Sequence, residues 1–247
     1  MPRFFVTSNQ IQDGTLTITG DDAHHLSRSL RAAVGDVITV CDMARREYEC
    51  ELTAFLPDAV HAKILSERAC DTEPPIRITL YQALPKGDKL DTVIQKAVEC
   101  GVCRIVPFES ERCVVRAKAE AEARKTERRQ RIASEAAKQC GRGVLPEVLP
   151  TVSFAQMLEL AGKGDLALFC YEGEGTRPIG QLLREKPLSP GAELSLIVGS
   201  EGGFSLKEAE EADQSGFCMT GLGKRILRTE TAPLFALGCI SCFFELS

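Results

Sequence analysis

The sequence predicts an α/β protein in two parts: a small N-terminal β-barrel over residues 1–72 and a C-terminal domain over residues 73–247 built on a parallel sheet. Three observations predict it. Short runs of β-branched and aromatic residues crowd the first seventy positions. A polar stretch ending in two prolines, Glu67–Pro75, then marks a linker. Beyond it, apolar strand patterns alternate with helical ones, as in a parallel sheet covered on both faces.

In the first part, strands are expected at Arg3–Val6, Thr15–Ile18, Val37–Cys41, Tyr48–Phe55 and Val60–Leu65. One helix interrupts them, capped by Asp21 or Asp22 and running through His24, His25, Leu26 and Leu30 to Arg31. Gly35-Asp36 supplies the turn into the next strand. In the second part, a strand over Ile76–Leu84 leads to a helix over Asp88–Cys100. Leu90, Val93, Ile94, Ala97 and Val98 share one face of that helix. Arg104–Phe108 reads as the next strand. Thr126–Gln139 belongs to a long basic helix stopped by Gly141 and Gly143. Asp165–Cys170, Glu193–Val198 and Phe217–Thr220 are further strands, and helices over Ser205–Ser215 and Ala232–Leu246 follow two glycine-rich loops. The last helix is apolar around nearly its whole circumference. It therefore belongs in the core, against a second subunit, or in both.

No run of 18 apolar residues is present, so no membrane-spanning helix is expected. Met-Pro-Arg-Phe-Phe lacks the apolar stretch of a signal peptide, and a cytoplasmic location is expected. Eleven cysteines include two C-x-x-C pairs, Cys100/Cys103 and Cys239/Cys242. Two such pairs can in principle hold zinc. The second, however, sits in Leu-Gly-Cys-Ile-Ser-Cys-Phe-Phe, where cysteine reads as a small core hydrophobe, and no metal is expected. Net charge is −5, unevenly spread. Arg112 to Arg142 holds ten Lys or Arg (112, 116, 118, 124, 125, 128, 129, 131, 138, 142) against four Glu (120, 122, 127, 135). That segment is +6 and the rest of the chain −11. A basic face on an acidic protein suits a polyanion; the competing reading is a solvated helix whose charges pair with one another.

Ligands of parallel sheets bind where loops leave the carboxyl ends of strands. Three such loops draw notice: Cys170-Tyr-Glu-Gly173, Val198-Gly-Ser-Glu-Gly-Gly-Phe204 and Gly221-Leu-Gly-Lys-Arg-Ile-Leu-Arg228. Glycine lets backbone amides and carbonyls approach a ligand closely. The common nucleotide motifs fail. Gly221-Leu222-Gly223 has Ile226 where a dinucleotide fingerprint needs its third glycine. A Walker loop ending at Gly223-Lys224 would need glycine where Cys218 stands.

The two loops and Arg228-Thr-Glu-Thr231 resemble the signature motifs of SPOUT-superfamily methyltransferases. More narrowly, the chain is similar to the 16S ribosomal RNA uridine N3-methyltransferases. Supporting segments are Arg3-Phe-Phe5, Asp22-Ala-His-His25 through Leu30-Arg31, Leu84-Pro-Lys-Gly-Asp-Lys89 and Glu99-Cys-Gly-Val102. Ser110-Glu-Arg112 and Glu135-Ala-Ala-Lys-Gln-Cys-Gly-Arg142 also fit. Ser200 departs from the family, which usually has proline there and a tighter turn. The resemblance implies a PUA-like RNA-binding barrel at the N-terminus and a SPOUT domain with a deep trefoil knot between about Asp165 and Ala232. It also implies S-adenosyl-L-methionine as cofactor, 16S rRNA of the small ribosomal subunit as substrate, and a homodimer joined through the last helix.

Carried onto this chain, the resemblance places the cofactor against Tyr171, Glu172, Ile197, Gly199, Glu201, Gly202, Leu222, Gly223, Ile226, Leu227, Arg228 and Thr231. Arg228 is the candidate for stabilising charge on the target base, and Glu230 for accepting its proton or for capping the last helix. Arg3, Lys86, Lys89, Arg112, Arg129 and Arg142 are candidate RNA contacts. His24 and His25 read as structural or RNA-contacting. Alternatives that stay open on sequence alone are a SPOUT enzyme modifying another base or a ribose hydroxyl, a non-catalytic RNA-binding module, and a zinc or redox protein.

Overall fold

A computed structural model describes residues 2–117 and 119–246, so Lys118 of the basic segment lies outside the described residues. The chain forms two compact units. One comprises the residues up to Glu73 together with Ala137–Leu145; the other comprises Pro74–Ala136 and everything from Pro146 onward.

The first unit is a curled six-stranded sheet. Its strands are β1 (Arg3–Phe5), β2 (Ile11–Gln12), β3 (Thr15–Thr19), β4 (Val37–Cys41), β5 (Arg46–Phe55) and β6 (Ala59–Ala69), in the order β1-β4-β5-β6-β3-β2. Only β1 and β4 pair in parallel. Alternate residues point inward, and Phe4, Leu16, Ile18, Ile38, Val40, Leu52 and Val60 meet in one core. Register shifts between Glu49 and Cys50 and between Leu52 and Ala54 break the β5–β6 ladder, and bulges of this kind bend a strand. The result is a half-barrel rather than a closed ring, because β1 and β2 stand unpaired at opposite edges. Helix α1 (Asp21–His24) continues as a π turn over His25–Ser29 and buries Ala23 and Leu26 in that core. Neither aspartate caps it. Gly20 holds the N-cap position, and Asp21 and Asp22 sit in the first turn, where the helix dipole favours them. The expected linker is shorter than its composition suggests. Residues Ser66 to Ala69 extend β6 by pairing with β5, although both faces there are exposed.

The second unit holds an eight-stranded parallel sheet. Its strands are β7 (Arg77–Ala83), β8 (Arg104–Glu109), β9 (Glu147–Val148), β10 (Val152–Ser153), β11 (Leu166–Cys170), β12 (Arg177–Pro178), β13 (Glu193–Val198) and β14 (Cys218–Gly221). The order is β10-β8-β7-β13-β11-β14-β12, with β9 beside β8. Helices α2 (Lys89–Glu99), α3 (Ala119–Cys140), α4 (Phe154–Ala161), α5 (Ile179–Glu185), α6 (Leu206–Gln214) and α7 (Ala232–Phe244) connect or follow the strands. Every residue of β13 after Glu193 is buried, as a strand covered on both faces requires. α3 ends at Cys140, and Gly141 follows at φ +81°, the left-handed conformation that stops a helix.

Helices α4 and α5 were not foreseen. Ser153 and Gln156 form a capping box at the start of α4, and Ser205 and Glu208 form another at α6. On α7, Ala232, Pro233, Ala236, Leu237 and Ile240 are buried, whereas Phe235 is 41% exposed. Gly238, Cys242 and the following Leu246 are exposed as well. Half of the apolar circumference thus lies in the core and half does not. Among the described residues, no helix is long and apolar enough to cross a membrane.

Candidate functional site

In the order β7-β13-β11-β14, the connections part to opposite sides between β7, which leads outward to β8, and β13, which leads past β11 to β14. Crevices open at the carboxyl ends of strands where the order switches in this way. A cavity of about 650 Å³ lies there, within the range that suits a cofactor-sized ligand. All three loops singled out in the sequence line it.

The loop after β11 contributes Cys170, Tyr171, Glu172 and Gly173. Burial pushes the Cys170 thiol up to about 12, so it is a neutral wall rather than a nucleophile. The loop after β13 contributes Val198 through Phe204. It folds back on itself: the Gly203 amide donates to the Ser200 carbonyl at 2.9 Å, and Gly203 sits at φ +62°. At Gly199 a Cβ would come within 3.2 Å of the Gly203 Cα and 3.1 Å of the Phe204 ring, so any larger residue would push this tight turn apart by a few tenths of an ångström. Ser200 therefore does not open the turn. It is buried, and its hydroxyl finds no hydrogen-bond partner among the described residues. The loop after β14 contributes Gly221 through Thr229, and Ala232 follows from α7.

Of the expected cofactor residues, Tyr171, Glu172, Gly199, Glu201, Gly202, Leu222, Gly223, Ile226, Leu227 and Arg228 line the cavity. Ile197 and Thr231 do not. Ile197 is wholly buried inside β13, and Thr231 is an exposed N-cap residue whose amide is bonded to the Arg228 carbonyl. Ile226 is 82% exposed at the rim, as is Leu206 at 71%.

The cations divide into two kinds. Arg228, Lys224 and Arg225 are exposed, line the cavity, and make no side-chain hydrogen bond or ion pair recorded among the described residues. Arg112 lines it too and donates from Nη1 to the Gly202 carbonyl at 3.0 Å. Lys89 is committed. Its Nζ lies 2.8 Å from Glu201 Oε1 and 3.4 Å from Glu230 Oε2, and the Lys86 amide also donates to Glu201. Burial raises the Glu201 pKa, but the Lys89 hydrogen bond and backbone amides outweigh it and hold the carboxyl below its ordinary range. The hydrogen bond to Glu201 keeps Lys89 charged. Glu230 lies beside Lys89 and does not line the cavity; its Oε2 is buried with no hydrogen bond among the described residues.

Several arginines expected to contact RNA are internal. Arg142 is 3% exposed and clamps Glu73 through Nε at 2.8 Å and Nη2 at 2.6 Å. Arg129 is 7% exposed and bonds Glu122 at 3.0 Å and Thr151. Arg3 reaches Glu47 at 2.6 Å, Cys41 and the Arg142 carbonyl. These three guanidiniums are turned inward onto carboxylates, away from the surface a phosphate would reach, and they tie the fold together. The basic segment is largely neutralised in the same manner: Arg116 pairs with Glu109, Arg128 with Asp91, Arg131 with Glu127 and Lys138 with Asp22. The self-paired reading describes these four, whereas Lys224, Arg225 and Arg228 stand open at the cavity. Lys86 is exposed.

Gln82 and Thr229 are functional candidates that sequence reasoning missed. Both are buried and polar, and both bond the Gly199 carbonyl. Their one sequence signal is a glutamine inside the apolar run Ile78-Thr-Leu-Tyr-Gln-Ala-Leu84. Of the histidines, His25 packs its ring against Phe4, and His24 lies 4.0 Å from Asp58. The cysteines form no disulfide, and no group of three or more potential metal ligands comes together among the described residues.

Comparison with known proteins agrees with this architecture. A family profile for an RNA methyltransferase domain matches residues 72–241, and one for an RNA methyltransferase PUA domain matches residues 18–65. The chain is 36% identical to ribosomal RNA small subunit methyltransferase E of Bacillus subtilis, covering 100% of this chain and 98% of that one. It is 35% identical to the Synechocystis protein of the same name, covering 98% and 78%. The crystal structure of ribosomal RNA small subunit methyltransferase E from Neisseria gonorrhoeae bound to S-adenosyl methionine superposes with a TM-score of 0.83. It is 33% identical and covers 99% of this chain and 98% of that one. The chain described here belongs to the ribosomal RNA small subunit methyltransferase E family.

Proposed function

We propose that this protein transfers a methyl group from S-adenosyl-L-methionine to N3 of a uridine in 16S ribosomal RNA, acting in the cytoplasm as a homodimer. The observation that carries the reading is the convergence of three glycine-bearing loops on one cavity whose rim carries an uncommitted arginine.

The cavity fits the cofactor by its own chemistry. Its volume suits a nucleoside-sized ligand. Gly199 and Gly202 are too closely approached to carry a Cβ comfortably, and their backbone amides and carbonyls line the wall. Tyr171, Leu222 and Leu227 offer apolar surface to a base, and Glu172 and Glu201 offer acceptors to hydroxyl or ammonium groups. Ile197 and Thr231 would act through their backbones or neighbours. Once bound, the cofactor supplies an electrophilic methyl group on a sulfonium.

What remains for the protein is alignment and charge. Holding nitrogen and methyl in line is worth several kcal/mol by itself. Uridine N3 carries a weakly acidic proton, and negative charge develops on the ring as it leaves. Arg228, on the cavity wall and free of carboxylates, is placed to stabilise that charge. Glu230 is a weaker candidate for the proton because it pairs with Lys89 and does not line the cavity. Lys86, Arg112, Lys224 and Arg225 would contact phosphates around a base flipped out of its stack. The N-terminal half-barrel, residues 1–72, would add RNA affinity, and the chain between Asp165 and Ala232 would thread the trefoil knot.

Incubating the protein with the methyl donor and unmethylated 16S rRNA or small subunits, followed by nucleoside mass spectrometry, tests the reaction. 3-Methyluridine is expected. A ribose-methylated nucleoside or a different base would overturn the N3 assignment, and no methylation on either substrate would overturn the enzyme.

The exposed half of α7, with Phe235, Gly238, Cys242 and Leu246, supports the dimer. An apolar helical stripe of this kind is normally covered. Sedimentation should give a dimer for the native chain and a monomer for Phe235→Glu. A monomeric native chain would remove the dimer from the proposal.

A further inference from the structure

Gln82 occupies the next-to-last position of β7, paired between Pro107 of β8 and Val198 of β13, and is fully buried. At such a place an aliphatic side chain would pack without any polar cost. The amide is instead fully engaged on one side. Its Nε2 lies 3.3 Å from the Gly199 carbonyl, 3.1 Å from Thr229 Oγ1 and 3.1 Å from the Ala83 carbonyl. The Thr229 hydroxyl donates its single proton to the same Gly199 carbonyl at 2.8 Å, and so accepts from Gln82. The reversed amide would aim its oxygen at two carbonyls, which fixes the orientation chemically. Oε1 faces the other way, buried and without a donor among the described residues.

These three groups join elements far apart in sequence. Gly199 opens the first glycine loop, and Thr229 closes the second directly after Arg228. Arg228 in turn is held in a tight turn, because its carbonyl accepts from both Thr231 and Ala232 at the start of α7. The spacing of the two loops across the cavity, and the place from which Arg228 projects, therefore depend on one carbonyl, one hydroxyl and one amide.

We infer that Gln82 and Thr229 are positioning residues: they clasp the Gly199 carbonyl so that the two glycine loops stand pre-spaced for the methyl donor and Arg228 is held at its rim. The inference rests on the function proposed above. A pre-spaced site binds without first ordering its walls, and loss of the clasp appears mainly as lost affinity. The unpartnered Gln82 oxygen fits this account, since an apolar residue would pack better there but could not hold the carbonyl.

The test compares Thr229→Val, Thr229→Ser and Gln82→Met by calorimetric titration with S-adenosyl-L-methionine, with steady-state KM and kcat measured on rRNA. Thr229→Ser, which keeps the hydroxyl, should bind within about threefold of the native chain. Thr229→Val and Gln82→Met should each bind about tenfold more weakly or worse, with KM for the donor rising more than kcat falls. The double variant should lose little beyond the worse single one, because both remove the same clasp. Native-like donor affinity in Thr229→Val overturns the inference, as does a Thr229→Ser variant as weak as Thr229→Val. Should Gln82→Met fail to fold, the Thr229 pair decides alone. A native chain that shows no donor binding overturns the proposed function along with the clasp, whereas native binding with an indifferent Thr229→Val overturns the clasp only.

Discussion

Arg228→Ala is expected to lower the methylation rate by about 10²–10³-fold while donor affinity shifts less than about threefold, the loss typical of removing one preorganised charge-stabilising group. Arg112 bonds the Gly202 carbonyl and Lys89 is occupied by Glu201 and Glu230, so neither swings freely toward a substrate. Lys224 and Arg225 share a loop exposed to solvent, suited to phosphates. Arg228 alone among these adjoins the anchored Thr229, which limits its motion. Single-turnover rates at saturating donor, beside calorimetric affinity, check the split. A fall in affinity matching the fall in rate would make Arg228 a cofactor contact, and an unchanged rate would end its catalytic role.

Arg142→Ala should destabilise the protein by about 3–5 kcal/mol in urea unfolding, the usual cost of orphaning one partner of a buried ion pair. Glu73 is left behind with its carboxylate 5% exposed, losing two guanidinium bonds and keeping only the amides of Gly143 and Val144. The pair also has a pH signature. Burial alone would raise the Glu73 pKa, but Arg142 and the two amides more than offset it and depress the carboxyl below its ordinary value. A depressed carboxyl contributes stability that is complete above the ordinary glutamate range and drains away as pH falls through the folded value. Glu73→Gln should therefore flatten the acid limb of the stability curve. A pH profile identical to that of the native chain would show that other carboxylates dominate it.

How much of this was legible in the sequence depends on the range of the forces involved. The β13 run of Leu194–Val198 and the α2 stripe of Leu90, Val93, Ile94, Ala97 and Val98 record burial directly in residue type, and both elements lie where they were expected. The three loops were recognisable because glycine answers a local backbone demand. Glu67–Ala69 reads as linker because a strand exposed on both faces leaves no alternation to see. Helix α4 announced itself only in Ser153-x-x-Gln156, a signal that was present and passed over. The burial of Arg142 is illegible in the sequence for a different reason. Charge reveals nothing about burial when the partner is a carboxylate such as Glu73, 69 positions away. Gln82 and Thr229 fall in the same class, since their meeting at Gly199 exists only once the sheet has assembled.

The return of Ala137–Leu145 to the first compact unit makes that unit discontinuous along the chain. Its polypeptide is thus assembled from two stretches separated by more than sixty residues of its neighbour. During synthesis the half-barrel emerges first yet stays unfinished, since Glu73 and Asp22 wait for Arg142 and Lys138 to leave the ribosome. A gene fragment cut after residue 72 would encode a sheet with a vacant seam, and grafting the half-barrel onto another enzyme would require carrying the second stretch along.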